Sequence, residues 1–372
     1  MAGPIVITGG GTGGHIFPME AVADQLRIIG VAPDELRFVG SRRGQESTLL
    51  CDADVPLTLL PGRGLRRSLG LEAFVQNVGA AASLLAAVGL SVANVRRWRP
   101  SVVVSLGGYA SFATTLAAVL WRRPLVLVEL DAEPGAAQRL FTRFARARCC
   151  AFPTSDPRAV VTGTPLRQSV VSVDRSPRAR EHARAESDPP IDDGRVVVVV
   201  MSGSLGSATV NRAVSELASR WSARRDRTII HVTGRRDVAS VRAHAPVTDG
   251  LDYRIVEFAD MAQLWALCDV AICRAGASTL AELTTLSIPS VLVPLPRAPG
   301  DHQMKNALVV VEAGGARLVL DADCSGAKLD DVLASITSSE TLEAMGRAAG
   351  QFGRRDAASR IARVVADVGG WS

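Results

Sequence analysis

Five glycines within six residues precede a histidine in the run GGGTGGHIFP, Gly9 to Pro18. Glycines let a backbone approach a ligand closely and turn at positive φ, and a helix start just beyond them presents unpaired N–H groups to an anion. His15 stands at the mouth of this turn, where an imidazole can take a proton near neutral pH. A plain strand-to-helix turn is the alternative, although the spacing is not the G-x-G-x-x-G of dinucleotide loops. A related device recurs at VVVVVMSGSLGSATVN, which sets Ser202, Gly203, Ser204 and Gly206 between an apolar run and a helical stretch. Two such turns, one opening each half of the chain, point to a ligand bearing phosphates in a cleft between two domains.

A third turn, in CRAGASTLAELTTLSIPSVLVPLP (Cys273 to Pro296), feeds a helix for which Ser278 and Thr279 are candidate N-caps, with Glu282 on the same face. That carboxylate completes either a capping box or a contact with a ribose diol. Beyond the next apolar run, PLPRAPGDHQMKNA gathers His302, Gln303 and Asn306 past a strand's carboxyl end, where open α/β sheets bind their ligands. Asp52-Ala53-Asp54 and Asp321-Ala322-Asp323 read as ordinary loop acids, so neither a metal nor a cofactor is expected. Cys51, Cys149, Cys150, Cys268, Cys273 and Cys324 form no C-x-x-C pair and read as reduced core thiols of a cytosolic protein.

Strands alternating with helices must hold these groups. Apolar, β-branched runs at 4–8, 36–40, 101–106 and 124–130 form one series, with a first helix from about Pro18. A second series lies at 195–203, 228–234, 253–258, 269–276 and 289–296. Such runs, spaced by helical stretches, predict parallel sheets covered on both faces, so the fold class is α/β with two doubly wound Rossmann-like domains. The polar, Pro-rich stretch 171–194 reads as a linker after a hinge near Gly163–Arg167. The expected domains are 1–167 and 168–372, with a last helical segment, about 340–368, that packs on its own domain or crosses back to the first. Two long uncharged stretches, 73–95 and 101–121, have the length of membrane spans, but their polar residues and the Gly107-Gly108 break favour buried or interfacial helices.

The 372 residues suffice for two domains with real cores, and 47% hydrophobic with 21% charged residues excludes a disordered or coiled-coil chain. The net charge of +5 is distributed unevenly. Residues 63–123 carry eight arginines against the single acid Glu72, a surplus that suits nucleic acid, a phosphate-bearing substrate or an anionic membrane. Few aromatics, not interleaved with basic residues, argue against a nucleic-acid partner. The N-terminus runs straight into a strand-like stretch without a basic n-region or cleavage site, so secretion by a cleaved signal is not expected.

Taken in order, GGTGGH (10–15), VGSRRGQE (39–46), GRGLRR (62–67), GGYAS (107–111), EPG (133–135), TGTPLR (162–167), GSLGS (203–207), TGRRD (233–237), CRAGASTLAE (273–282) and DHQMKNA (301–307) resemble the MurG family of bacterial glycosyltransferases, which have the GT-B fold. The resemblance implies inverting transfer of N-acetylglucosamine (GlcNAc) from UDP-GlcNAc to the muramoyl 4-hydroxyl of lipid I, giving lipid II for the cell wall. It implies His15 as the catalytic base, with Thr12, Gly13 and Gly14 on the acceptor and donor-sugar side. Arg167 and Ser204 would touch UDP, and Phe258 would stand where a backbone group reads uracil. Ala277, Ser278, Thr279 and Glu282 would hold diphosphate and ribose, while Gln303 and Asn306 would grip the donor sugar. It further implies peripheral attachment to the anionic inner leaflet at the cytoplasmic face, through Leu65, Leu69, Phe74 and Val75 ringed by Arg66 and Arg67. Where the family usually reads HEQNAVPG this chain reads VELDAEPG, so Val128, Leu130 and Asp131 depart from the pattern while Glu129 is kept. Glu129 and Asp131 are carried over as substrate-binding positions. The departures leave two alternatives, a different UDP-sugar or lipid acceptor, and a catalytically dead membrane-bound scaffold.

Overall fold

The computed structural model describes residues 3–11, 13–50, 53–62, 71–201, 203 and 206–371, with side chains left aside at 71–78 and at 299. Two parallel sheets organise them. The first runs β1 (Ile5–Thr8), β2 (Leu36–Ser41), β3 (Leu57–Leu60), β4 (Val102–Ser105), β5 (Leu125–Glu129), β6 (Ala147–Cys150) and β7 (Ala159–Val161), in spatial order β3-β2-β1-β4-β5-β6-β7. The second runs β8 (Val196–Met201), β9 (Arg227–Val232), β10 (Asp252–Val256), β11 (Val270–Cys273), β12 (Ser290–Leu292) and β13 (Ala316–Leu318), in order β10-β9-β8-β11-β12-β13. Every residue of β1, β4 and β5 is buried, because helices cover both faces of a parallel sheet and leave no wet side to alternate toward. Ile5 pairs with Leu36 on one flank and Val102 on the other, so chain order reverses between β1 and β4, and the reversal recurs between β8 and β11. Each sheet thus has a switch point where the loops beyond two neighbouring strands diverge and leave room for a ligand.

The structure corrects several local expectations. β3, β6, β7 and β13 lie outside the two series expected from apolar runs. The helix expected from Pro18 begins at Gly13 and runs to Ile28, which puts His15 on the helix rather than before it. Buried Pro18 is accommodated inside that helix even though it cannot contribute an N–H there. The stretch read as a linker is folded. Ser176 Oγ accepts the Ala179 N–H to cap the helix Pro177–Ala185, and this helix is pinned by ion pairs from Arg180 and Arg184 to Asp269, just before β11. Asp269 also accepts the Val197 N–H at 2.7 Å, so the arginine pairs and the β8 edge share one carboxylate.

Residues 1–167 and 354–372 make one compact unit and residues 168–353 the other. The segment 340–368, expected to pack on its own domain or to cross back, is two helices, one with each unit. Helix Ser339–Gly350 packs on Ala277–Thr285 in the second unit, where a Cβ at Gly346 would come within 2.8 Å of the Ser287 carbonyl. Helix Ala357–Gly369 lies against Gly13–Ile28 in the first unit, burying Ile361, Ala362 and Val365, and Trp371 Nε1 donates to Ser101 Oγ at 2.9 Å. In the second unit Trp221, Ile229, Ile272, Val291, Leu329 and Leu333 share one buried cluster. Each such side chain contributes about 1.5–3 kcal/mol by leaving water.

Candidate active site

In the first unit, loops after β1, β2 and β4 converge at the switch point. Gly10 and Gly11 adopt φ of 126° and 97°, and Gly108 (φ 78°) packs so closely that a Cβ would stand 2.6 Å from the Gly10 carbonyl oxygen. Gly11 N–H donates to Glu46 Oε1 at 2.9 Å, Gly13 N–H to Gln45 Oε1 at 3.3 Å, and Tyr109 OH to Ser41 Oγ at 3.0 Å. The motifs 10–15, 39–46 and 107–111 are thus one structure, with half-buried His15 in the first turn of the helix that leaves it. Arg167 lies over the ring of Phe17 with its guanidinium carbon 4.0 Å from the centroid, a cation–π contact with the turn after His15. Glu20, on the same helix, is held above the usual carboxylate range by burial and by Asp24, against the opposing pull of Arg167.

The departures at 128–131 have a packing reason. Val128 and Leu130 are 1% and 4% exposed, so both positions belong to the core in this chain. Gln138 Nε2 donates to the Val128 carbonyl at 2.9 Å and closes the loop beyond β5, while Asp131 is half-buried. Glu129 does not present itself to a ligand. Its two oxygens accept a bidentate pair from Arg148, at 3.0 and 2.8 Å, and Cys150 Sγ lies 3.2 Å from Oε2. Arg148 also pairs with Asp156, which Arg158 holds well down, at about 2. Burial with the Glu129 charge pushes the Cys150 thiol up to about 12. Glu129 thus acts as a strut joining β5 to β6.

In the second unit the turn after β8 and the loop after β11 meet at the other switch point. Gly206 adopts φ 79°, and a Cβ there would stand 2.2 Å from the Thr233 carbonyl oxygen and 3.2 Å from Asp237 Oδ2. Beneath this turn Asn211 Nδ2 donates to that carbonyl (3.1 Å) and to Asp237 Oδ2 (3.0 Å), which leaves Asn211 Oδ1 to accept from His231 Nε2 at 3.0 Å. His231 Nδ1 then accepts from Tyr253 OH at 2.9 Å, and burial lowers the imidazole to about 4, so it stays neutral. Arg274 Nη1 donates to the Val293 carbonyl at 3.0 Å, and Nη2 donates to Ser207 Oγ at 2.6 Å and pairs with Asp321, tying three loops together.

Helix Ala277–Thr285 begins at Gly276 with no side-chain cap, which corrects Ser278 and Thr279 from N-caps to first-turn residues beside Ala277. Glu282 is one turn along, half-buried, with Oε2 accepting the indole N–H of fully buried Trp265 at 2.7 Å. Gln303 Oε1 accepts the Leu295 N–H at 2.9 Å, and Phe258, 76% exposed, stands past β10. Asn306 is 0% exposed and donates to the Ala275 carbonyl at 3.4 Å, which braces the β11 loop. Thr12, Leu65, Arg66, Arg67, Leu69 and Ser204 lie outside the described residues, and Phe74 and Val75 sit on helix Leu71–Trp98 at positions whose side chains do too. Sequence reasoning missed Trp265, Arg274 and Asn211 as supports, although the last two lie inside motifs it quoted.

Residues 5–149 match the glycosyltransferase family 28 N-terminal domain and residues 197–361 its C-terminal domain. The chain is similar to the UDP-N-acetylglucosamine–N-acetylmuramyl-(pentapeptide) pyrophosphoryl-undecaprenol N-acetylglucosamine transferases of Cupriavidus necator (33% identical) and of Nocardioides sp. (37% identical), with 98% of each chain covered in both comparisons. Among solved structures it is similar to MurG of Acinetobacter baumannii, with a TM-score of 0.76 at 24% identity over 98% of this chain and 99% of that one, a likeness of fold. With two family domains in order and relatives matched end to end, the chain belongs to the MurG family of glycosyltransferases, family 28, of GT-B fold.

Proposed function

We infer that this chain transfers GlcNAc from UDP-GlcNAc to the muramoyl 4-hydroxyl of lipid I, with inversion at the anomeric carbon, to give lipid II. The observation that carries this is the end-to-end match, 98% of both chains, to transferases named for that reaction. His15 takes the acceptor hydroxyl proton as that oxygen bonds the anomeric carbon and the bond from this carbon to the diphosphate breaks. The departing UDP gains negative charge, which the first-turn N–H groups at Ala277, Ser278 and Thr279 stabilise without proton transfer. Glu282, oriented by Trp265, accepts from the ribose diol, and Gln303 contacts the donor sugar. Phe258 lies beside uracil. The test is transfer of labelled GlcNAc to a lipid I analogue. His15→Ala is expected to lower kcat by about 10²–10⁴ with UDP affinity kept, as for loss of a general base. An unchanged kcat removes His15 from the chemistry, and no product from the parent protein removes the activity.

The finer reading is that the enzyme works as a peripheral protein on the cytoplasmic face of an anionic membrane, where its lipid acceptor resides. Along helix Leu71–Trp98 the segment Gly79–Trp98 is apolar and long enough to cross a bilayer by length and composition, yet only 22% of its most apolar window is buried. It leaves Leu85 73% exposed, with Leu84 and Leu90 partly so, near exposed Arg96 and Arg97. An open cavity of about 780 Å³ is lined by Arg96, Arg97, Arg99 and Trp121, and Arg96 stacks on the Trp121 ring at 5.5 Å. Exposed leucines beside arginines suit a helix lying in a headgroup layer.

A further inference from the structure

Glu46 is a fully buried carboxylate to which the sequence assigned no role. Its Oε1 accepts two backbone N–H groups at 2.9 Å each, from Gly11 in the turn after β1 and from Ser41 at the end of β2. Three glycines make room for it. A Cβ on Gly10, Gly40 or Gly44 would lie 2.0, 2.7 or 1.8 Å from a Glu46 side-chain atom. Next to it, Gln45 takes the Gly13 N–H. A glycine-rich turn before a helix ordinarily offers such N–H groups to a bound anion. Here the chain fills that position itself, because two of the turn's N–H groups point at side chains from β2's far end.

We propose that Glu46 is a positioning residue for the transfer reaction: its carboxylate stands in for a ligand phosphate in the first glycine-rich turn and so fixes the start of the helix that carries His15. This rests on His15 acting as the base. It divides labour between the two turns. The first is a rigid mount whose Gly11 and Gly13 N–H groups are spent internally, and substrate phosphate binding falls to the second unit. Glu46 Oε2 has no hydrogen-bond partner among the described residues, so an amide at this position removes no bond while keeping the Oε1 acceptor.

The test compares Glu46→Gln with Glu46→Leu in the full chain. Glu46→Leu is expected to lower kcat about tenfold or more, with KM for UDP-GlcNAc unchanged, since misplacing a reacting group by an ångström costs up to about a hundredfold. Glu46→Gln is expected to stay within about threefold of the parent, because the acceptor is retained. Hydrogen exchange of peptides covering 9–17 and 39–44 is expected to quicken in Glu46→Leu and not in Glu46→Gln, with β8 and β9 unaffected. If Glu46→Leu keeps the parent's kcat, or its Gly11 amide stays protected, the proposal is overturned, as it is if Glu46→Gln falls as far as Glu46→Leu. Should Glu46→Leu not fold, Gly44→Ala pushes a methyl against the same carboxylate and is expected to give the same pair of changes. Hydrogen exchange needs no turnover, so a parent inactive on UDP-GlcNAc would defeat the proposed function and leave exchange to decide on Glu46.

Discussion

His231 is wedged between Asn211 and Tyr253 with both ring nitrogens used. Burial brings its folded pKa to about 4 from 6.5, so between those values the unfolded chain binds a proton that the folded chain refuses. Stability linked to this group is full above about pH 6.5 and falls as the solution is acidified toward pH 4. Between about pH 7 and about pH 5 the loss is about 2 kcal/mol, and His231→Gln is expected to lose that much less in urea titrations run at both pH values. Equal losses in the two proteins would mean that His231 is not held neutral. At this scale the sequence is legible where a polar residue sits beyond a strand end, as His15, Glu282 and Gln303 do. It is silent where the partner is far along the chain. Glu46 meets Gly11 across 35 residues and Arg148 meets Glu129 across 19, and no local pattern announces either pair.

The turn after β8 shows how tightly a glycine can be confined at a switch point. Gly206 is confined both by φ 79° and by the Thr233 carbonyl 2.2 Å from where a Cβ would sit. A side chain there incurs roughly 1–2 kcal/mol of left-handed strain before any clash is counted. Gly206→Ala is therefore expected to weaken UDP binding about tenfold or more by calorimetry, since about 1.4 kcal/mol is a factor of ten, while leaving the first unit's hydrogen exchange as it was. Unaltered UDP affinity would show that the Gly206 turn does not support nucleotide binding. The major strands were legible because β1, β4, β5, β8 and β11 are apolar runs buried on both faces. β6 was hidden by Arg148, a charge tolerated inside a sheet only because Glu129 and Asp156 receive it. β7 and β13 have three residues each, too short for periodicity to register. The Pro-rich stretch before β8 looked like a tether because its helix is stabilised by Asp269, about 90 residues away, rather than by an apolar face.

For the whole molecule, the basic and apolar surface of the first unit has a measurable consequence. Binding to vesicles containing anionic lipid is expected to weaken as salt rises, because screening shortens to about 10 Å at 0.1 M ionic strength. Leu85→Asp with Leu90→Asp is expected to lower both vesicle binding and transfer to a vesicle-bound acceptor, and to spare transfer to a short-chain soluble one. If sedimentation with vesicles responds to neither salt nor these changes, the surface is not the attachment site. The two-unit plan was legible from the repeated strand series, but the destination of the last helix was not, since an amphipathic segment does not say which face it will cover. Because helix Ala357–Gly369 closes the first unit from the far end of the chain, the order of synthesis and the order of completion are opposed. During translation residues 1–167 emerge first but lack the helix that covers Gly13–Ile28, whereas residues 168–353 already hold everything their own core requires. The later-made unit is the first that can finish folding, and the earlier one must wait with an apolar flank uncovered until the final helix leaves the ribosome.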